Sequence, residues 1–186
     1  MTNLKNVVIA ISGLHGVGKT SQARRLADSF GLKHVSGGMM FRRLAQSRNT
    51  SLLSLSIEAE SSDEIDHLID GMMVEAGKKG NVVIDSMLCT WFLKEIAVIK
   101  VFLLAPEKVR VERIALRDGK SYATAYSETI GRENSEIGRF KRYYGVSIED
   151  VKNSCDLVLS TENLSEEEVF SILKYYIQIR IGKLEK

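Results

Sequence analysis

The sequence predicts a three-layer α/β fold, with a five-stranded parallel sheet and helices on both of its faces. Two observations indicate this fold. Short apolar segments alternate with amphipathic segments along the whole chain, as they do where helices connect parallel strands. The length of 186 residues, with 44% hydrophobic and 27% charged residues, suits one globular domain with a sizeable core. We therefore expect residues 1–186 to form a single domain.

Five segments are predicted to be strands, most of them apolar and rich in β-branched residues. The first is an uninterrupted apolar run, which is typical of a strand buried on both faces. The predicted strands cover residues 7–11, 33–36, 82–84, 98–104 and 157–159.

Three helices are predicted from apolar residues at helical spacing. The first follows the opening strand and ends at Gly31. The last begins at Ser165, three residues before Glu168, which is the spacing of a capping box. The apolar faces are Ala23, Leu26, Ala27 and Phe30 in the first helix, Ile65, Leu68, Ile69, Met72, Met73 and Ala76 in the second, and Val169, Phe170, Leu173 and Ile177 in the last.

Two segments fit this alternation poorly: residues 37–62 and the polar, arginine-bearing residues 117–145. Neither segment is repetitive or of low complexity. We interpret both as mobile helical flaps inserted into one core.

Charge and composition argue against several classes of function. A formal net charge of +2 is too small to predict binding of a nucleic acid polymer over a whole face. The longest apolar run is residues 7–11, far short of the roughly 20 residues that span a bilayer, and nothing resembles a secretory signal. We expect no membrane association and a cytoplasmic location.

The cysteines and histidines do not have the spacing of a metal site. Cys89 and Cys155 are isolated, and His15, His34 and His67 are scattered. We expect these residues to be structural, with neither a disulfide framework nor a protein-held transition metal.

A glycine-rich motif follows the first predicted strand directly. Residues 13–20 match G-x-x-x-x-G-K-[ST] in full, between a buried strand and an amphipathic helix. Successive backbone N–H groups and the helix N-terminus converge there on an anion, and the glycines let phosphate oxygens approach the main chain. We expect Lys19 to reach the β- and γ-phosphates of ATP and Thr20 to ligate Mg²⁺. The expected ATP-binding residues of this loop are Gly13, Leu14, His15, Gly16, Val17, Gly18, Lys19, Thr20 and Ser21.

Asp85 comes directly after the third predicted strand. An acidic side chain in this position holds Mg²⁺ in other proteins with the same motif. An aspartate after an apolar run is also often a helix cap or a turn residue, and the sequence leaves both interpretations open.

Arginines bracket the second flap. Phosphoryl transfer depends on positioning and on neutralising the charge of the transferring group. Arg132 and Arg139 are two helical turns apart and share one side of a helix, with Glu136 between them to orient them. Arg113 and Arg117, four residues apart, also share a face. A solvated basic surface is the alternative for any one arginine, but four of them around a closing flap favour a site from which water is excluded.

With these motifs the chain resembles the archaeal-type cytidylate kinases, and more distantly the adenylate kinases, over nearly its whole length. The resemblance implies a P-loop kinase fold with a monophosphate-binding flap over residues 37–80 and a lid over residues 117–145. Residues 31–42 look like the start of that flap, which implies that Arg42 grips the acceptor phosphate. The acceptor-binding residues implied are Ser36, Gly38, Phe41, Arg42, Asp66, Asp70 and Ser86.

Residues 109–121 and 132–145 are similar to the family's lid. By that resemblance Arg113 lies against the adenine of ATP and Arg117 on its phosphates, while two further arginines reach the transferring phosphoryl group. The implied catalytic set is Lys19, Arg42, Arg117, Arg132 and Arg139.

The sequence departs from this family on the acceptor side. Where relatives carry Glu-Gly-Arg-Leu-Ala-Gly-Trp, residues 85–91 are Asp-Ser-Met-Leu-Cys-Thr-Trp, so Met87 replaces an arginine expected on the acceptor phosphate. Gly71 and Met72 likewise stand where a basic pair is expected. Each lost charge-assisted contact corresponds to about 1.5 to 3 kcal/mol of binding free energy.

We therefore predict a monomeric nucleoside monophosphate kinase that transfers the γ-phosphate of ATP to CMP or dCMP, with Mg²⁺ as cofactor. Three explanations of the altered acceptor side stay open: another basic residue such as Arg43 or Arg48 compensates, the acceptor is another monophosphate such as AMP or UMP, or acceptor phosphorylation has weakened or been lost. Two other functions are also open. One is a kinase of a small hydroxyl metabolite, with Asp66 or Asp70 as general base, and the other is a nucleotide-binding regulator that hydrolyses ATP slowly.

Overall fold

The sheet is the centre of the molecule. A computed structural model describes residues 6–184, and in this part of the chain five parallel strands form one sheet in the order β2-β3-β1-β4-β5. The strands are β1 Val8–Ser12, β2 Lys33–Ser36, β3 Val82–Asp85, β4 Ile99–Leu104 and β5 Leu157–Ser160. The predicted α/β fold is confirmed, and each predicted strand end lies within one residue of the observed end.

Helices connect the strands and cover the sheet. Within residues 6–184 they are α1 Lys19–Phe30, α2 Gly37–Ser47, α3 Leu52–Ser61, α4 Glu64–Lys79, α5 Cys89–Phe92, α6 Glu107–Asp118, α7 Tyr122–Tyr144, α8 Ile148–Asn153 and α9 Glu166–Leu184. None of the helices described is long and apolar enough to cross a bilayer.

The side chains of β1 alternate between two hydrophobic cores, as the period of a strand requires. Ile9 and Ile11 point to the side covered by α1 and α9, where they are fully buried with Leu26 and Leu173. Val8 and Ala10 point to the other side, which α4 and α5 cover. Because both faces are buried, the strand contains apolar residues at successive positions rather than at every second one.

The predicted helix ends are confirmed for the first and last helices. Gly31 adopts a left-handed conformation at φ 65° and ends α1, with its N–H donating to carbonyls of the last turn. Ser165 and Glu168 form the reciprocal capping pair: the Glu168 carboxylate accepts from the Ser165 N–H at 2.8 Å, and the Ser165 hydroxyl accepts from the Glu168 N–H at 3.2 Å.

The apolar face predicted for α4 is wider than the face that is buried. Ile65, Ile69 and Met73 are buried, but Leu68 and Met72 are 55% and 49% exposed. The buried apolar residues follow a single row at i, i+4 spacing, and Leu68 and Met72 line a groove beside β2. The helix predicted from this spacing is confirmed, and its buried face is narrower than its apolar face.

The two segments that fitted the alternation poorly are helical. Residues 37–62 contain α2 and α3, and residues 117–145 contain the end of α6 and the whole of α7, a single helix of 23 residues. Helix α7 packs against both α3 and α6. That these segments are mobile stays a prediction.

The strand order places a crevice at the end of β1. The connection after β1 leads through α1 to β2 on one side of it, whereas β4 and β5 lie on its other side. At such a change in strand order a crevice opens at the carboxyl ends of the strands. The glycine-rich loop lies in this crevice.

Candidate active site

A single cavity of about 1200 Å³ contacts almost all of the predicted site residues. The glycine-rich loop and the start of α1 contribute to its lining, together with residues of α2, α4, α6 and α7. Cavities of this kind, with a few convergent polar groups, are the usual places for small ligands.

The glycine-rich loop requires glycine at its first position. Gly13 has φ 141°, and a Cβ atom there would lie 2.2 Å from the carbonyl oxygen of Leu103. Gly18, at φ 92°, is the N-cap of α1 without a side-chain cap, so the first N–H groups of α1 are directed to the cavity, where an anion is stabilised.

Lys19 points back along the loop. Its ammonium group donates to the carbonyl oxygen of Leu14 at 2.8 Å. Burial lowers the pKa of the Lys19 ammonium, while the carboxylates of Asp85 and Glu136 act in the opposite direction. The lysine is therefore held beside acidic groups in the buried floor of the cavity.

Asp85 is the centre of a hydrogen-bonded cluster. Only 1% of its surface is exposed. Its Oδ2 accepts from the hydroxyl groups of Thr20 at 2.7 Å and Ser36 at 3.2 Å, and its Oδ1 is 2.7 Å from Nε2 of His34. A carboxylate and a hydroxyl beside the phosphate loop are oxygen ligands of the kind that Mg²⁺ prefers, so Thr20 and Asp85 fit that ion.

Three arginines from different elements approach one another in the cavity. Burial, followed by the guanidinium groups of Arg117 and Arg132, lowers the pKa of Arg42. Asp118 accepts from Arg117 at 2.6 and 2.9 Å and raises the pKa of Arg117. Because like charges repel, a cluster of this kind favours a polyanionic ligand.

Arg139 does not share the position of Arg132. It is 1% exposed and donates to both carboxylate oxygens of Asp66, at 2.6 and 3.2 Å. It also donates to the Ser56 carbonyl at 3.2 Å and the Ser135 hydroxyl at 2.8 Å. These contacts of Arg139 join α7 to α3 and α4, so they hold the lid segment against the flap.

Glu136 orients Arg132 and not Arg139. Its Oε1 accepts from Arg132 at 3.4 Å, and its Oε2 is 3.0 Å from Nε2 of His15. Burial raises the pKa of Glu136, but His15 and Arg132 outweigh burial and hold it at about 2. Glu136 thus contacts Arg132 as expected, makes no such contact with Arg139, and in addition joins α7 to the phosphate loop.

Asp70 lies on the cavity wall one helical turn after Asp66. Its Oδ2 accepts from the hydroxyl group of Tyr144 at 2.8 Å. Burial raises the pKa of Asp70 to about 7, while the hydrogen bond from Tyr144 lowers it and the charge of Asp66 raises it further. Asp70 is therefore partly protonated near neutral pH.

Three predicted residues support the cavity from behind and do not line it. Gly13 packs on β4, the carbonyl of Leu14 holds Lys19, and Ser36 caps α2 and donates to Asp85. Arg113 lines the cavity and donates to the hydroxyl and carbonyl oxygens of Thr161 at 2.8 and 2.5 Å. The other predicted residues that line the cavity are His15, Gly16, Val17, Gly18, Lys19, Thr20, Ser21, Gly38, Phe41, Arg42, Asp66, Asp70, Asp85, Ser86, Arg117, Arg132 and Arg139.

The departures from the family pattern lie in different places. Met87 lines the cavity and is buried against Leu88 and Phe140, so an apolar side chain occupies this part of the wall. Gly71 and Met72 line a separate groove beside β2. Gly71 and Met72 therefore do not change the cavity, whereas Met87 makes part of its wall apolar.

Neither arginine named as a compensating residue lines the cavity. Arg43 is exposed, and Arg48 pairs with Glu58 on the outside of the flap. Positive charge on the acceptor side comes instead from Arg42 and from the arginines of α7.

Sequence reasoning missed three residues that hold the site in place from behind the cavity. His34 is two residues before Ser36 on β2, and Ser36 lies beside Asp85 in the strand register, so the period of the strand placed His34 on the same face. Arg110 and Glu133 form a buried ion pair against the phosphate loop. Glu133 is three residues before Glu136 on α7, and this spacing was the available signal.

Comparisons with known proteins agree with this geometry. The AAA domain family matches residues 9–141. The cytidylate kinase of Staphylothermus marinus is 46% identical over 172 residues, which is 92% of this chain and 97% of that protein. The cytidylate kinases of Pyrococcus horikoshii and Methanopyrus kandleri are 40% and 41% identical, over 90% and 91% of this chain and 86% and 92% of theirs.

Solved structures show the same fold at low sequence identity. An uncharacterized protein from Eubacterium ventriosum has a TM-score of 0.69 at 16% identity, covering 94% of this chain and 99% of its own. A shikimate kinase from Bacteroides thetaiotaomicron has a TM-score of 0.61 at 15% identity, covering 95% and 98%. The structural likeness supports the fold alone, and the sequence relatives show that this chain belongs to the cytidylate kinase family.

Proposed function

We propose that this protein transfers the γ-phosphoryl group of ATP to CMP, and to dCMP, giving ADP and the nucleoside diphosphate. The observation that carries the proposal is that one cavity is lined both by a complete phosphate loop and by Arg42, Asp66 and Asp70. A donor nucleotide at the loop and an acceptor nucleotide at α2 and α4 would share this cavity. The names of the relatives supply the identity of the acceptor.

Positioning and charge neutralisation account for the proposed chemistry. Lys19 and the loop N–H groups bind the donor phosphates, and Arg42 binds the acceptor phosphate. Arg117 and Arg132 neutralise the charge that develops on the phosphoryl group in flight. An acceptor phosphate is already an oxyanion, so no general base is required.

Thr20 and Asp85 are the residues that would hold Mg²⁺. When bound, the ion would neutralise charge on the β- and γ-phosphate oxygens. The cluster around Asp85 supports this assignment, because His34 and Ser36 fix the carboxylate where the Thr20 hydroxyl also lies.

We also propose that Arg139 acts on the acceptor side through Asp66. In the structure the guanidinium group is fully engaged, so its direct contact with the phosphoryl group would require exchange of a partner. The monomeric state and the cytoplasmic location stay predictions from the sequence.

The test is an assay of ADP formation with Mg²⁺, ATP and each of CMP, dCMP, UMP and AMP. We expect CMP or dCMP to stimulate ADP formation strongly, and Lys19→Ala to lower that rate by about a hundredfold or more. Strong stimulation by AMP or UMP alone would contradict the acceptor, and turnover that is independent of any monophosphate would contradict the kinase in favour of a slow ATPase.

A further inference from the structure

The main chain of His15 is held on both sides by one ion pair. The His15 N–H donates to Oε1 of Glu133 at 2.9 Å, and the His15 carbonyl accepts from Nη1 of Arg110 at 2.8 Å. Arg110 and Glu133 are in turn paired through two contacts, one of them at 3.1 Å from Nη2 to Oε2. We refer to Arg110, Glu133 and the main chain of His15 as the clasp.

The clasp is built into the interior. The side chains of Arg110 and Glu133 are 4% and 5% exposed. Helix α6 runs against the loop so closely that a Cβ atom on Gly16 would lie 2.5 Å from the carbonyl oxygen of Arg110. In such surroundings a charge is costly without its partner, so the two side chains are expected to act as a unit.

The clasp neutralises a negative charge beside the site. A carboxylate beside a phosphate loop would repel the donor phosphates, and Arg110 neutralises it. The His15 N–H, already bound to Glu133, is not one of the N–H groups that are free to bind phosphate. The clasp thus fixes the main chain of the loop at His15, directly before residues 16–20, which also line the cavity.

We propose that Arg110 and Glu133 are positioning residues for ATP: by holding the main chain of His15, they keep the phosphate loop in the shape that binds the donor phosphates. Glu133 comes from α7, next to Arg132, and Glu136 on the same helix contacts the His15 ring at 3.0 Å. The clasp therefore also sets the distance between the phosphate loop and the arginine of the lid. This inference rests on the donor half of the proposed function.

The test measures the dissociation constant of a non-hydrolysable ATP analogue with Mg²⁺ by calorimetry, together with the KM for ATP and for CMP. For Glu133→Gln and for Arg110→Met we expect the dissociation constant and the KM for ATP to rise about tenfold or more, with the KM for CMP changed less than about threefold. In the double variant the loss should be smaller than the product of the two single losses. The matched control is Arg25→Met with Glu167→Gln, an ion pair between α1 and α9 outside the cavity.

Glu133→Asp provides a variant that keeps the charge if either single variant fails to fold. Its shorter side chain cannot reach both partners, so we expect weaker analogue binding here too. Binding by the folded variants within about twofold of the parent would overturn the clasp, even with lowered thermal stability, because the pair would then be structural only. Binding of the ATP analogue by the parent protein tests the proposed function. The ratio of the dissociation constants of variant and parent tests the clasp.

Discussion

Asp70 is a single residue whose ionisation connects stability with the site. Its carboxyl group lies between the cavity and the ring of Tyr144, which packs edge-on against Phe92 and near His67. The pKa of Asp70 is raised from 3.8 to about 7, so the folded protein keeps this proton to a higher pH than the unfolded chain does. The stability that this proton contributes is present in full below about pH 4 and is lost as the pH rises toward 7.

We therefore expect Asp70→Asn to gain stability relative to the parent as the pH rises. Each unit of the pKa difference corresponds to about 1.4 kcal/mol, so the difference in Tm between variant and parent should be larger at pH 8 than at pH 5 by about 4 °C or more. Thermal unfolding followed by circular dichroism at both values checks this. Asp28→Asn, at an exposed position in α1, is the control. An equal Tm difference between Asp70→Asn and the parent at the two pH values would contradict the raised pKa.

The Asp70→Asn variant also distinguishes transfer to a hydroxyl group from transfer to a monophosphate. A hydroxyl acceptor needs a base, and loss of that base would lower kcat by about a thousandfold, whereas a monophosphate acceptor needs only binding. We expect Asp70→Asn to change mainly the KM for CMP. The neighbouring Asp66 is a poor candidate for a base because both of its oxygens accept from Arg139.

At the scale of elements, α3, α4 and α7 are joined by Arg139. The side chain contacts Asp66, 73 residues away along the chain, and also binds the Ser56 carbonyl. The Tyr143 hydroxyl donates to the carbonyls of Ala59 and Glu60 at the end of α3. The lid helix and the flap are therefore fastened to each other as well as to the core.

Arg139→Met should destabilise the fold because it leaves the buried carboxylate of Asp66 without its partner. We expect a loss of about 3 to 5 kcal/mol in the free energy of unfolding, measured by chemical denaturation. Arg48→Met, which breaks the exposed pair with Glu58, is the control and should cost less than about 1 kcal/mol. If Arg139→Met costs as little as the control, the flap and the lid are not fastened in the free protein.

The sequence predicted the elements better than it predicted the contacts between them. Strands and helix ends depend on local patterns, such as Gly31 after α1 and the Ser165 and Glu168 pair, and these were found. The partners of Arg139 and Glu133 depend on the angle at which α7 crosses the phosphate loop and the flap. The periodicity of the sequence does not predict that angle. The spacing of apolar residues predicted α4 but did not give the width of its buried face, since Leu68 and Met72 are exposed.

At the scale of the whole molecule, the topology accounts for the site. The crevice at the end of β1 brings the glycine-rich loop, Asp85 at the end of β3 and Ser36 at the end of β2 to one edge of the sheet. The two helical insertions add positive charge to the cavity. Arg42 comes from the flap and Arg132 from the lid. The chain order of these elements made the donor side predictable, because a single motif carries most of it.

The acceptor side was less predictable because it is assembled from distant segments. Asp66 and Asp70 of α4, Met87 of the loop after β3 and Arg139 of α7 line one cavity only in the folded protein. The resemblance named most of them, but their mutual contacts, such as the bond from Tyr144 to Asp70, belong to the packing of α4 against α7.

We propose that one continuous cavity binds a donor and an acceptor nucleotide together. The most direct test is the affinity of a bisubstrate molecule in which adenosine and cytidine are joined through their 5′-oxygens by five phosphates, measured by calorimetry with Mg²⁺. We expect this molecule to bind at least about a hundredfold more tightly than ATP or CMP alone, because its second half binds at a high effective concentration. We expect Arg42→Ala to lose this gain. Binding no tighter than that of ATP would contradict a cavity shared by the two nucleotides.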